Sequence, residues 1–427
     1  MPWSSAESIL AGQGIKLPAD LENANEGAWN TWSRKQDKAV RARLEQGDLD
    51  SMVNLLLLGT SFTRQPRIGI ENITEAARKG VLRARVDDLI AGLRNPGGNE
   101  RLAFLNILMR SRGLDPNGSS ADLGVFVYSN LERVLRERQT LAARAAEARR
   151  DADSVLDRSS LFRDRGVSLD TSIFPDFSIE QTLRDLKTRG VLGEGQVSRV
   201  AVIGPGLDFI DKNEESAYDY YPPQTLQPFG LYDSLARLEL SKPGALSVAI
   251  LDISAQVLDH VKRARERARR NLGYVIQLPR DVARPWPPDV ISYWRALGDR
   301  TGTSVAPIPA PEIFKGLETR AVRIRPDVVL ACEPLNLDVV LERLKLPQAE
   351  RFDLVIGTNI FLYYDNFQQL LALENIGAML KPGGLLLTND KLPQRPGSSM
   401  RQAGMTVVRY NGDDPGAIEA MGWYRKN

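Results

Sequence analysis

From about residue 197 to the C-terminus, short apolar runs rich in β-branched residues alternate with stretches of helical periodicity. That alternation restricts the fold more than any other feature of the chain. The runs cover residues 200–203, 246–251, 327–331, 352–356 and 385–388, and helical patterns lie between them near 225–240, 255–272, 337–344 and 367–380. A run that is apolar at every position, rather than at every second one, is buried on both faces. The pattern therefore predicts an α/β fold with a mostly parallel sheet covered by helices on both sides. Two further runs, 405–410 and 422–425, are expected as a closing pair of strands. Residues 279–319 are rich in proline and tryptophan and too long for a simple connection. They are expected as an insertion and a candidate lid. A second inserted segment, 212–228, carries Tyr218, Tyr220, Tyr221, Pro222 and Pro223.

Residues 1–165 read differently and are expected to form an all-helical N-terminal domain, with the sheet domain occupying 166–427. Trp29, Trp32, Val40 and Leu44 fall near helical spacing, and the pattern continues through Leu58. A helix is predicted from Thr74 with a stop at the Asn95-Pro-Gly-Gly98 turn, and a long one from 121 to 157. The long helix has an apolar stripe that includes Leu131, Val134, Leu135, Ala142, Ala145, Ala152, Val155 and Leu156. Arg133, Arg136, Arg138, Arg144, Arg149 and Arg150 lie between, as a solvated outer face or a partner surface.

Composition narrows the chemistry. One histidine, His260, excludes a two-histidine metal site, and no metal is expected. His260 is expected as a surface residue of its helix. The single cysteine, Cys332, suits a reducing compartment, and the N-terminus lacks the basic and apolar regions of an export signal, so a cytoplasmic location is expected. A net charge of +2 demands no polyanionic partner. The basic stretch 262–270 lies on a helix whose inward stripe is Leu258, Val261, Ala264, Ala268 and Leu272. Its charges thus face solvent, which argues against nucleic acid.

In an open parallel sheet, ligands bind beyond the carboxyl ends of the strands, where the strand order reverses. After the first run comes Gly204-Pro-Gly-Leu-Asp208, whose glycines let the backbone approach a ligand. The third glycine of a dinucleotide fingerprint would stand at 209, which is Phe209, and this disfavours a nicotinamide oxidoreductase. After the second run comes Asp252, placed to hold paired ribose hydroxyls. Ser254 serves better as the cap of the following helix. Next come Cys332-Glu-Pro-Leu-Asn-Leu-Asp338, then Gly357-Thr-Asn-Ile-Phe-Leu-Tyr-Tyr-Asp365, and then Leu380-Lys-Pro-Gly-Gly384 feeding the fifth run.

This ordered set, over roughly 178–427, resembles the class I S-adenosylmethionine-dependent methyltransferases. Phe352-Asp-Leu-Val-Ile-Gly-Thr-Asn359 with Leu380-Lys-Pro-Gly-Gly-Leu-Leu-Leu387 is most similar to the chemotaxis-receptor glutamate methyltransferase (CheR-like) branch. The resemblance implies a Rossmann-like seven-stranded sheet with one antiparallel strand and S-adenosyl-L-methionine as cofactor. The methyl acceptor would be an oxygen or nitrogen of a small molecule or protein side chain. It implies cofactor contacts at Gly204, Pro205, Gly206 and Asp208, at Asp252 and Ile253, at Asn336 and Leu337, and at Thr358 and Asn359. Tyr363 and Tyr364 are the candidate catalytic residues, with Asp365 and the tyrosines of 218–221 as further acceptor-side residues; packing roles stand beside each. The sequence departs from the family at Val202, where an acidic residue is usual, at Asp208, where glycine is usual, and at Thr358, where the chemotaxis branch has arginine. The alternative reading is a non-catalytic methyltransferase-like binding or scaffold protein.

Overall fold

Five of the sheet's strands run parallel to one another. The computed structural model describes residues 1–10, 16–22, 24–150, 166–168, 171–210, 218–284, 286–410 and 418–427, without the side chains of 141–142 and 144–150. The strands are β1 (Arg199–Ile203), β2 (Ser247–Asp252), β3 (Tyr274–Asp281), β4 (Gly302–Val305), β5 (Leu317–Ile324), β6 (Cys332–Asn336), β7 (Phe352–Ile356), β8 (Leu380–Thr388), β9 (Met400–Arg409) and β10 (Ile418–Lys426). Seven of them form one sheet in the order β6-β2-β1-β7-β8-β10-β9, in which β10 runs antiparallel to both neighbours. This is the expected α/β architecture. At its centre Val200, Ala201 and Val202 of β1 pair with Val248, Ala249 and Ile250 of β2 and with Leu354, Val355 and Ile356 of β7. All nine are buried, which is why the runs show no alternation.

The helices are α1 (Trp3–Leu10), α2 (Glu26–Leu58), α3 (Ile73–Arg78), α4 (Val81–Arg94), α5 (Glu100–Ser111), α6 (Ser120–Arg150), α7 (Ile173–Thr188), α8 (Gln227–Arg237), α9 (Ala255–Arg269), α10 (Pro288–Ala296), α11 (Pro326–Ala331) and α12 (Asn366–Met379). Two expectations shift. Residues 327–331 are helix α11 rather than a strand, because Pro326 opens a helical turn at no hydrogen-bond cost; the strand is the next five residues, β6. Residues 337–344 form turns rather than a helix, with the Asp338 carboxylate accepting from the Val340 amide and so fixing a local turn.

The segment expected as a lid is a second sheet, ordered β3-β5-β4, with α10 beside it. Val290, Tyr293, Trp294 and Leu297 seat it in the same core as Phe177 of α7 and Phe229 of α8. Among the described residues none of 274–324 lines the cleft described below, so the described part of the insertion is a buttress rather than a lid.

The N-terminal helices do two jobs. The first half of α2 packs on one face of the sheet: Trp29 stacks on Trp32 at 5.3 Å, and Trp32 meets the Phe367 edge at 5.4 Å. Its second half, Leu49 to Leu58, joins α4, α5 and α6 in a separate core that also receives Phe209 and Ile210. The helix expected from Thr74 is interrupted at Gly80, whose φ is +75°. The described part of the long helix ends at Arg150, and Ala152, Val155 and Leu156 lie outside the described residues. Arg133 pairs with buried Asp50 at 2.7 Å, and Arg138 donates to Asn54, so neither belongs to an open basic surface.

Other details correct the sequence reading. His260 is buried, hydrogen-bonded to the Tyr274 hydroxyl at 2.8 Å, and burial pulls its pKa down to about 4. Leu272 lies beyond the end of α9 and is 50% exposed, so the inward stripe stops at Ala268. Among the described residues no helix is long and apolar enough to cross a membrane, and no group of three acidic, cysteine or histidine side chains is arranged for a metal ion.

Candidate functional site

The strand order reverses between β1 and β7, and a cleft opens beyond their carboxyl ends. It has a mainly apolar lobe and a mainly polar lobe. Both lobes share Ser168, Gly204, Gly206, Ile360 and Tyr363, so they form one continuous groove.

The turn after β1 needs its glycines. Gly204 has φ +58° and Gly206 has φ +74°, a left-handed conformation that costs other residues strain. A Cβ on Gly204 would also collide with the Ile360 side chain. Pro205 lines the polar lobe between them. Asp208 does not face the cleft. Its carboxylate accepts from the Tyr221 hydroxyl at 2.8 Å and from Gln224 Nε2 at 3.1 Å. Beside it the Arg101 guanidinium donates to the carbonyls of Phe209, Asp219 and Tyr221. The helical bundle thus clamps the chain on either side of 211–217, and Asp208 belongs to that clamp. Tyr218 and Tyr220 pack on Phe314, away from the groove.

At the end of β2, Asp252 lines the apolar lobe and is 8% exposed. Burial pushes its pKa up to about 6, against the amides of Ser254 and Ile253, which favour the charged form. The Ser254 amide donates to Oδ1 at 2.7 Å, and the Ser254 hydroxyl caps α9, as its sequence position suggested. Ile253 and Leu337 line the same lobe, and the Leu337 amide donates to the Asp252 carbonyl. Asn336 is the register partner of Asp252 on β6, exposed at the rim rather than among the lining residues. Asp338, buried and pushed up to about 6 by that burial, is a lining carboxyl the sequence reading passed over.

The polar lobe is walled by Thr358 and Asn359. Gln227 Nε2 donates to Thr358 Oγ1 at 2.8 Å. Asn359 has φ +57° and is locked to Asn389 by a reciprocal pair of hydrogen bonds, each 2.8 Å. Tyr363 reaches both lobes. Its carbonyl accepts from Arg43 of α2, whose guanidinium also lies over the Tyr363 ring, and the Ser168 amide donates to its hydroxyl. Tyr364 lines only the apolar lobe, and its burial raises the phenol pKa well above the ordinary value. Asp365 is occupied as the cap of α12, in a capping box with Gln368.

The roof of the groove comes from outside the sheet motifs. Leu44 of α2 and Val167, Ser168, Thr171 and Ser172 line it, as does Pro175. Segment 166–168 can lie flat on α2 because position 47 is glycine; a Cβ there would strike the Val167 carbonyl. The Val167 amide donates to the Arg43 carbonyl at 2.9 Å.

No protein-family model matches the sequence, and no curated protein does either. Solved structures similar to the chain include TrmN from Thermus thermophilus, with 12% identity and a TM-score of 0.27 over 62% of this chain and 53% of that one. The chain therefore spans about half of TrmN. Another is magnesium protoporphyrin IX methyltransferase (ChlM) from Synechocystis PCC 6803 with bound SAM, with 10% identity and a TM-score of 0.28 over 64% of this chain and 99% of that one. A third is MtNAS in complex with MTA and tNA, with 10% identity and a TM-score of 0.24 over 89% and 97% of the two chains. What the geometry establishes is a two-lobed groove at the switch point of a seven-stranded α/β sheet.

Proposed function

We propose that the groove binds S-adenosyl-L-methionine and that the protein transfers its methyl group to an oxygen or nitrogen of a small molecule or protein side chain. The observation that carries this reading is Asp252: a buried carboxyl at the end of β2, inside an apolar lobe that continues past the Gly204 turn into a polar one. A nucleoside with a charged tail is a molecule of that polarity. The adenosine would lie against Leu337, Ile253 and Val257, with its ribose hydroxyls donating to Asp252. The motif order at the strand ends supports the same assignment.

The cofactor supplies an activated methyl on a positively charged sulfur, so the chain mainly has to align the reactants. Tyr363, which both lobes share, and Thr358 and Asn359 of the polar lobe are the groups available to orient an acceptor. Tyr363 is the better placed of the two candidate tyrosines. Asp208, which departs from the usual glycine, leaves the groove free because its side chain is held by Tyr221 and Gln224.

Calorimetric titration with S-adenosylhomocysteine tests the reading. Wild-type protein is expected to bind, and Asp252→Ala to bind at least about tenfold more weakly, since it loses charge-assisted bonds to two hydroxyls. Absence of binding to wild type at about 0.1 mM protein, roughly where a millimolar Kd becomes hard to see, overturns the proposal. Equal affinity of the variant overturns the placement of the ribose.

A further inference from the structure

Behind the polar lobe lies a group of buried polar atoms that the cofactor assignment leaves unused. Asp176, on the first turn of α7, is 2% exposed, and neither carboxylate oxygen has a partner at ordinary hydrogen-bond distance, although the Gln227 side chain is near enough to favour its charged form. Gln227, at the start of α8, is 3% exposed; its Nε2 serves Thr358 while its Oε1 has no partner. The Tyr293 hydroxyl is also without one. Asp176 Oδ2 and that hydroxyl both face the bare Cα of Gly230, 3.2 and 3.3 Å from where a Cβ would stand. Gln227 and Pro175 line the lobe, and Asp176, next to Pro175 in the chain and near enough to the Gln227 side chain to feel it, does not.

Buried polar groups are nearly always satisfied, and a bare carboxylate is among the costliest to leave open. Turning the Gln227 amide over would give Asp176 one donor, and its second oxygen would remain open. Gln227 Oε1 and the Asp176 oxygens are thus buried acceptors beside the lobe without donors at ordinary distance, and a primary ammonium group is a donor that would suit them. Among the described residues that line this lobe the polar side chains are hydroxyls and amides, with no carboxylate.

We propose that Gln227 Oε1 and the Asp176 carboxyl behind it form the receptor for the α-ammonium group of the cofactor's amino-acid end, so that α7 supplies the acidic residue that β1 lacks at Val202. This rests on the assignment of S-adenosyl-L-methionine to the groove. With adenosine in the apolar lobe, the amino-acid end extends past Gly204 and Gly206 into the lobe that Gln227 lines. Asp176 acts through electrostatics and through Gln227; it is a positioning residue and takes no part in methyl transfer.

The test is a cycle of two proteins and two ligands: wild type and Asp176→Asn, each titrated at pH 8 with S-adenosylhomocysteine and with its analogue bearing hydrogen in place of the α-amino group. At that pH the Asp176 carboxyl, pushed up to about 8 by burial, can ionise. Wild type is expected to prefer the amino ligand, and Asp176→Asn to lose at least about tenfold of that preference while binding the deaminated analogue as wild type does. Equal weakening of both ligands would show a merely structural role, and an unchanged preference would show that Asp176 faces no ligand cation; either overturns the proposal. Should Asp176→Asn fail to fold, Gln227→Leu removes the other acceptor and is held to the same two outcomes. If wild type binds neither ligand, it is the assignment of the groove that fails.

Discussion

Asp176→Asn should also change how the free protein responds to pH. The carboxyl is fully buried, and burial pushes its pKa up to about 8, with the Gln227 side chain a smaller opposing influence. In the unfolded chain it titrates near the ordinary aspartate value of about 3.9. Between those two values the unfolded state is ionised and the folded state is not, so stability is highest below pH 4 and is lost as pH rises towards 8. Each pH unit in that window corresponds to about 1.4 kcal/mol. At pH 7 the native state therefore forgoes roughly 4 kcal/mol that it would keep if the position were neutral, and at pH 4 well under 1 kcal/mol. Asparagine is neutral throughout, and any packing cost of its amide is independent of pH. Denaturation midpoints of the two proteins, measured from pH 4 to pH 8 without ligand, should diverge steadily in favour of the variant. Asp48, Asp252 and Asp338, whose pKa values are also raised by burial, contribute equally to both curves and cancel in the difference. Parallel curves across this range would mean that the carboxyl is ionised in the native protein, and would refute the picture of a buried group awaiting a cation.

Other outcomes follow from single contacts. Gly204→Ala should cost about 2 kcal/mol or more and abolish ligand binding, because the new Cβ meets Ile360 at a φ of +58°; adding Ile360→Ala should recover the steric part and leave the backbone part, as read from midpoints of the single and double variants. Affinity for the deaminated analogue of S-adenosylhomocysteine, which does not report on Asp176, should be level above pH 6 and fall below it, by up to about tenfold per unit, as Asp252 takes up a proton; a level profile down to pH 5 would contradict its role as ribose acceptor. Arg101→Ala should destabilise by roughly 3 kcal/mol or more by leaving the carbonyls of Phe209, Asp219 and Tyr221 without their donor, and Arg101→Lys should not restore it, because a single ammonium lacks the fork that reaches all three.

The sheet could be read from the sequence because its central strands are buried on both faces and their apolar runs are uninterrupted. The reading failed where an apolar run was too short to discriminate. Residues 327–331 have a strand-like composition, and only Pro326 hints that they open as a helix. The floor of the groove was legible too, since Gly204, Asp252 and Leu337 each end or directly follow a strand and Thr358 and Asn359 stand within three residues of the end of one. The roof was not. Leu44 and Ser168 reach the site from a helix and a linker whose local patterns describe only their own packing, and Gly47 lies in a helix where a glycine signals nothing by itself. Gln227 and Asp176 were invisible for a related reason: their importance lies in what they fail to contact. Asp208 misled because its position in the motif says nothing about the rotamer that Tyr221 and Gln224 impose.

The most direct test of the account is a crystal structure of the protein grown with S-adenosylhomocysteine. The ribose hydroxyls should lie within hydrogen-bond distance of the Asp252 carboxylate, the adenine beside Leu337, and the amino-acid end in the lobe walled by Gln227 and Thr358. A ligand bound elsewhere, or a groove that stays empty at millimolar ligand, would contradict it.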